Sequence, residues 1–251
     1  MPVHYDITDR VATITLDHPE VKNALNQDGL DALAAHLEDA ADNDRVWLVS
    51  IRAVGGDFCT GQDVKELAGK SAPGGDFFAP IFRGLKAIYK PVVCAARGLA
   101  LAGGAGIVMG SDVRIVSETT RMGWPHTKIG ICSIGGPSSL ARAVPVNVAL
   151  ELMFTGDFLP AERALALNLV NQVVPDAELE AAADRMIEKI MRNAPLALRA
   201  AKQSTLSTVD LPYDDAVAKA QGILNKLLES RDSKEGMQAF VEKRAPKWEG
   251  R

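Results

Sequence analysis

"KPVVCAARGLALAGGAGIVMGSDVRIVSE", residues 90–118, decides the fold class. "PVVCAARG" (Pro91–Gly98) and "DVRIVSE" (Asp112–Glu118) read as strands, and such continuous apolar runs suit strands buried on both faces of a sheet. Between them, "RGLALAGGAGIVMGSD" (Arg97–Asp112) is glycine-rich, and its later part can be a helix that begins near Gly103. The most apolar stretch, "GLALAGGAGIVMG", has 13 residues. A bilayer span needs about 20, so this is a buried segment and no membrane helix is expected.

The same alternation extends outward. "VATITL" (Val11–Leu16) and "WLVSIRA" (Trp47–Ala53) are further strands. Asn26 can cap the helix between them, with Asp28 in its first turn and Leu30, Leu33 and Leu37 on one stripe. His36 falls off that stripe and reads as a surface residue. From Val146 onward helical patterns dominate: Leu179, Ala182, Met186 and Ile190 mark one helix, Val217, Leu224 and Leu228 another, and Ser233–Arg244 a short terminal one. "GKSAPGGD" (Gly69–Asp76) is glycine-rich and unpatterned, as a mobile loop would be. Strands alternating with helices, then helices alone, give an α/β class with a helical C-terminal region.

Composition removes several functions. The 251 residues are 47% apolar and 24% charged, with a net charge of −4. No Lys/Arg run or basic stripe appears, which argues against nucleic acid as a partner. Cys59, Cys94 and Cys132 are an odd, widely spaced set without a CxxC, so neither a disulfide framework nor a zinc site is expected. Reduced thiols in a cytoplasm fit this usage, and the polar start "MPVHYDITDR" has no secretory signal core.

Two glycine segments carry the chemistry: "GGDFCTGQDVKEL" (Gly55–Leu67) and Arg97–Asp112. Backbone N–H groups at a helix start have no intrahelical partner and favour negative charge. Two such amides from two loops can hold one developing oxyanion. The alternative is that these glycines serve turns and tight packing. "GLALAGGAG" is no dinucleotide fingerprint, no Walker lysine is present, and "GGPSS" is not a serine-hydrolase elbow.

In order, "DHPEVKNALN", "FCTGQDVKEL", "KPVVCAARGLALAGGAG", "SDVRIVSETTRMGWPHTKIGI", "TGDFLPAERALALNLVNQVVP" and "KEGMQAFVEKRAPKW" resemble the crotonase superfamily, which includes enoyl-CoA hydratases and isomerases. The resemblance spans nearly the whole chain. It implies a spiral of ββα turns over residues 1–195 with the acyl-CoA site, and a helical trimerisation region over 196–251. It further implies a homotrimer or a dimer of trimers, and a coenzyme A thioester bound without metal or redox cofactor. The amides of Gln62, just after Gly61, and of Gly103, followed by Gly104, would polarise the thioester carbonyl. Lys22 would meet a coenzyme A phosphate, or be a solvated lysine, and Ala24 would offer backbone contacts at the adenosine end; Val64, Lys65 and Glu66 would lie near the pantetheine arm, and Asp63 neighbours the Gln62 amide. Phe240 and Lys243 would reach coenzyme A, sometimes that of a neighbouring subunit, or serve as core packing and surface charge. Trp124 would shape the acyl pocket.

The chain departs from this pattern at the acid/base positions. The resembling hydratases use two glutamates, and here Gly106 and His126 stand in their places. Hydration by two glutamates is therefore not expected, and the lost bulk at Gly106 should enlarge the acyl pocket. An imidazole titrating near neutrality can move a proton alone. His126 can equally be a ring packed on Trp124 and bonded to backbone. Cys132 and Ser133 read as small residues of a tight turn, and Asp112 as an anchor at a helix-to-strand junction. Three functions stay open: an isomerase or hydratase-like enzyme using His126; another enolate reaction such as thioester hydrolysis, C–C cleavage or decarboxylation; and a non-catalytic acyl-CoA binder.

Overall fold

The computed structural model describes residues 2–63 and 77–251. Six strands form the main sheet: β1 (Val3–Thr8), β2 (Val11–Leu16), β3 (Leu48–Ala53), β4 (Val92–Ala96), β6 (Val113–Ser117) and β9 (Gln172–Val174), in that order. Only the β1–β2 hairpin is antiparallel; every other neighbour pair is parallel. Ile14, Ile51, Cys94 and Arg114 lie in one register row across β2, β3, β4 and β6. A smaller sheet joins β5 (Leu99–Leu101), β7 (Arg121–Gly123) and β8 (Leu159–Pro160).

The chain climbs by a repeated step: a main-sheet strand, a short stretch in the second layer, then a helix. β2 leads through Leu25 to α1 (Gln27–Asp42). β3 leads to Cys59 and Gln62, and after residues 64–76 comes α2 (Ala79–Ala87). β4 and β5 lead to α3 (Gly103–Gly110), and β6 and β7 to a 3₁₀ turn (Pro125–Ile129) and α4 (Gly135–Ala143). This is the ββα spiral that the resemblance implies. α5 (Val146–Thr155), α6 (Ala161–Ala166) and α7 (Leu179–Met191) follow, then α8 (Pro195–Thr208), α9 (Tyr213–Leu228) and α10 (Arg231–Glu242).

Both faces of the parallel strands are covered, as their unbroken apolar runs require. Leu30, Leu33 and Leu37 of α1 and Ile81 and Leu85 of α2 pack on Ile14, Ile51 and Cys94. Leu179, Ala182, Ala183 and Ile187 of α7 cover Leu48, Val93, Ala95 and Ile115 on the other face. Asn26 caps α1 by accepting from the Gly29 amide at 3.0 Å. At its other end the buried Lys90 ammonium donates to the Ala40 and Asn43 carbonyls at 2.7 Å each, a cation matched to a helix C-terminus. Asp112 anchors its junction: one carboxylate oxygen accepts from the Val92 amide at 2.7 Å and from Lys202 of α8 at 2.6 Å.

His36 corrects its surface reading. It is half-buried, stacked on the Tyr5 ring with centroids 4.9 Å apart, and its Nε2 lies 3.1 Å from the Val3 carbonyl oxygen. The hairpin strand β1 lies over this face of α1, which the helix's own periodicity does not reveal. The α9 stripe is only partly covered by the described residues: Val217, Leu224 and Leu228 are 44–48% exposed. Among the described residues no helix is long and apolar enough to cross a membrane. Cys59 and Cys94 are buried free thiols and Cys132 an exposed one.

Candidate active site

The two glycine segments meet. Cys59 pairs with β5, its amide donating to the Leu99 carbonyl at 3.0 Å and its carbonyl accepting from Leu101 at 2.9 Å. Two residues on, the backbone pairs with Leu25: Leu25 donates to the Gly61 carbonyl at 2.7 Å and Asp63 donates to the Leu25 carbonyl at 2.9 Å. Gln62 is thus fixed between two ladders. Gly61 needs its hydrogen side chain twice over: φ is +93°, and an added Cβ would lie 2.9 Å from the Ala102 Cβ. Gly104 has the same steric need, since a Cβ there would lie 2.8 Å from the Cys59 carbonyl carbon.

Gly103 opens α3, and the residue before it is strained. Ala102 has φ 51° and ψ −115°, a conformation that L-residues rarely adopt. It is held there because its amide donates to the Gly123 carbonyl at 2.8 Å and its carbonyl accepts from Gly106 at 3.1 Å. Among the described residues, neither the Gln62 nor the Gly103 amide has a protein acceptor. Both residues line one cavity of about 1270 Å³.

Trp124 and His126 line the same cavity. Trp124 is buried, with its indole against Gly136 at the start of α4. The His126 turn is tied down from outside: Thr127 donates its hydroxyl to the Met153 carbonyl at 3.0 Å, and Lys128 pairs with Asp157 at 2.8 Å. His126 is half-buried, and its Nδ1 is buried with no partner in hydrogen-bond geometry. The ring nonetheless keeps the backbone contact that its packed reading expects, to Trp124. Burial pushes the imidazole below its ordinary pKa, and the Trp124 backbone nearby pulls weakly the other way. Burial thus disfavours the charged imidazole, and the ring lines the cavity that Gln62 and Gly103 also line. An orphaned buried polar atom is costly in a fold and calls for a partner from outside the chain, a water or a ligand.

Gly106 lines the cavity, but its missing side chain does not enlarge it. Phe82 of α2 fills the space: a Cβ at Gly106 would lie 2.6 Å from the Phe82 Cε1. Phe77 and Phe78 line the wall beside it. These three rings are cavity-lining residues that the glycine motifs do not announce; the aromatic cluster "FFAPIF" (Phe77–Phe82) is the sequence signal for them. Lys202 and Leu206 of α8 close the far side.

The remaining site residues are distributed around this centre. The Lys22 carbonyl accepts from the Thr60 amide at 3.2 Å, which lays Lys22 and Ala24 beside Thr60–Gln62. Lys22 is exposed with φ 55°. Asp63 is half-buried beside Gln62. Val64, Lys65, Glu66 and the loop Gly69–Asp76 lie outside the described residues. Phe240 on α10 is 85% exposed, which removes its core-packing reading, and Lys243 caps that helix in a left-handed conformation. Neither lines the cavity. Ser133 accepts from the Gly136 amide at 3.1 Å, and Cys132 donates to the Ser133 carbonyl at 3.1 Å, so both serve the turn. Among the described residues, no three His, Cys, Asp or Glu side chains cluster as metal ligands would.

Comparison with known proteins places this architecture. The model of the enoyl-CoA hydratase/isomerase family matches residues 6–251. The chain is 34% identical over 241 residues to the short-chain-enoyl-CoA hydratase of Clostridium acetobutylicum, covering 94% of this chain and 92% of that one. It is 32% identical over 270 residues to the (E)-benzylidenesuccinyl-CoA hydratase of Thauera aromatica, over the full length of both. Among solved structures, the enoyl-CoA hydratase of Mycobacterium tuberculosis H37Rv superposes with a TM-score of 0.91 at 32% identity over 99% of each chain. The enoyl-CoA hydratase of Mycobacterium marinum does so with 0.90 at 32% identity, again over 99% of each. Strand–strand–helix spiral, whole-length match and fold together show that this chain is an acyl-CoA enzyme of the enoyl-CoA hydratase/isomerase family, in the crotonase superfamily.

Proposed function

We propose that the protein moves a proton on the acyl chain of an enoyl-CoA or related thioester, holding the thioester oxygen between the Gln62 and Gly103 amides. The observation that carries this is the pair of acceptor-free amides, fixed by the Leu25 and β5 ladders, on one cavity with the half-buried His126 ring. Charge gathers on the thioester oxygen as a Cα or Cγ proton leaves. Preorganised donors at that oxygen supply about 3 kcal/mol each. His126, neutral at pH 7, takes the proton from carbon. The electron pair of the broken C–H bond shifts toward the carbonyl, and the proton returns at the other carbon to give the isomer. Such a transfer needs neither metal nor redox group. Gly106 has no side chain to activate water, so the geometry supports one-base chemistry even though the relatives above carry hydratase names.

The same lone base favours a second reading. Decarboxylation, C–C cleavage or thioester hydrolysis also needs carbonyl activation and a single proton-transfer group. In either case Lys22, exposed beside Thr60, meets a coenzyme A phosphate, and Phe240 and Lys243 contact coenzyme A from a neighbouring copy. The half-exposed stripe of Val217, Leu224 and Leu228 then packs in a homotrimer or a dimer of trimers; a single-chain mass in solution would refute that assembly.

The test is turnover on a panel of enoyl, malonyl-type and β-keto thioesters, with His126→Ala beside the wild type. Enoyl turnover in the wild type and a loss of at least about tenfold in His126→Ala, at little-changed acyl-CoA affinity, are expected. Equal activity of the two proteins sinks the role of His126, and turnover confined to malonyl-type or β-keto thioesters selects the second reading.

A further inference from the structure

Gly106 stands one turn into α3 from Gly103, on the cavity wall. The Phe82 ring lies where its side chain would project. The same ring crowds the first residue of α4: a Cβ at Gly135 would lie 3.1 Å from the Phe82 Cε2. Phe82 stacks on Phe78 with centroids 5.7 Å apart and planes at 27°. Phe78 in turn crowds Gly103, where a Cβ would lie 2.5 Å from its Cε2. Rings at 78 and 82 and glycines at 103, 106 and 135 are therefore one complementary set. A side chain at Gly103 or Gly106 must displace a phenyl group, and one at Gly135 presses on it. A phenyl edge carries no proton for transfer and offers water no hydrogen bond.

We infer that Phe82 is the residue that decides between proton transfer and water addition in this site. Wedged between Gly106 and Gly135, it keeps that wall of the acyl cavity dry and without a second proton-transfer group. The inference rests on the thioester reading above. It makes the glycine at 106 and the phenylalanine at 82 a matched pair, neither of which can be exchanged alone for water-activating chemistry. It also differs from loss of a group by drift, because the vacated volume is filled by a packed ring.

Four proteins test it: wild type, Phe82→Ala, Gly106→Glu and the double variant. Each is assayed for hydration of crotonyl-CoA and for deuterium exchange at Cα of butyryl-CoA in D2O. The wild type exchanges Cα deuterium and hydrates poorly. Gly106→Glu hydrates no faster, because the ring denies the carboxylate its place. The double variant hydrates at least about tenfold faster than Gly106→Glu. In the gained reaction the water oxygen bonds to Cβ and its proton passes to the introduced carboxylate. The C=C electron pair passes to the thioester oxygen as an enolate, which then takes that same proton at Cα from the introduced carboxylate, leaving His126 neutral throughout. Equal hydration by Gly106→Glu and the double variant, whether both fast or both absent, overturns the inference, and so does fast hydration by the wild type. Absent exchange in the wild type counts against the thioester reading instead. A stability cycle decides the packing claim without turnover. Gly106→Ala should lower Tm in the wild-type background and much less in Phe82→Ala, and additive effects would refute the wedge.

Discussion

Gly61 and Gly103 approach so closely that a Cβ on the first would stand 3.2 Å from the amide nitrogen of the second. The two cavity amides are therefore kept together by a missing methyl group. Gly61→Ala would meet Ala102, strain a φ of +93°, and push the loops apart. We expect a stability loss of about 1–3 kcal/mol in urea unfolding. Turnover should fall by about 100-fold, a larger effect than the stability loss explains.

Ala102 makes the opposite prediction. Its φ of 51° and ψ of −115° suit glycine, so Ala102→Gly releases strain at the start of α3. The added freedom of the unfolded chain offsets part of this. A net gain of about 1 kcal/mol in denaturant unfolding is expected. A loss of stability would show that the Ala102 methyl matters more in packing than its backbone costs.

His126 fixes a pH dependence. Its folded pKa is depressed by burial, so the neutral base persists to lower pH than a free imidazole. The acid limb of kcat/KM should therefore fall with a midpoint below about 6.5 and vanish in His126→Ala. The linked stability has the same sign. A depressed histidine contributes stability above its unfolded pKa and loses it as pH falls through its folded one. A midpoint above the ordinary imidazole value contradicts this environment.

Asp112 and Lys202 tie the C-terminal helices to the sheet. Their contact is 2.6 Å, and the Lys202 side chain is only 9% exposed. Burial pushes the ammonium's pKa down, while Asp112 holds it up. Asp112→Ala removes the acceptor of the Val92 amide and the counter-charge of Lys202, which keeps only the Lys90 carbonyl at 3.1 Å, and should cost about 3 kcal/mol. Adding Lys202→Met should recover part of that loss in thermal unfolding, because the stranded charge is then gone. No recovery would place the cost at the Val92 amide.

The spiral is legible because its strands are apolar on both faces and its helices begin where the residues say they should. Asn26 caps α1, and Gly103 opens α3. The meeting of Gln62 and Gly103 follows from two glycine segments, each set just after a strand of the same sheet. The wall is not legible in the same way. Phe82 and Gly106 are far apart along the chain, and which ring fills a glycine's vacant space is settled by the packing of α2 on α3. His36 fails for a related reason: its helix face meets β1, and only the hairpin's placement shows it. The α9 stripe reads as a buried face, yet the described residues cover only about half of it.

The climbing order of the spiral has a consequence for how such a site can change. Gln62 and Gly103 belong to successive turns, so their separation is inherited from the pairing of Cys59 with Ala100 and Leu25 with Gln62. That frame cannot be retuned without unzipping a ladder. The rings at 77, 78 and 82 come from the segment around α2, which shares no strand pairing with it. On the reading proposed above, paired substitutions at 82 and 106 would exchange one reaction for another while those strand ladders stay as they were.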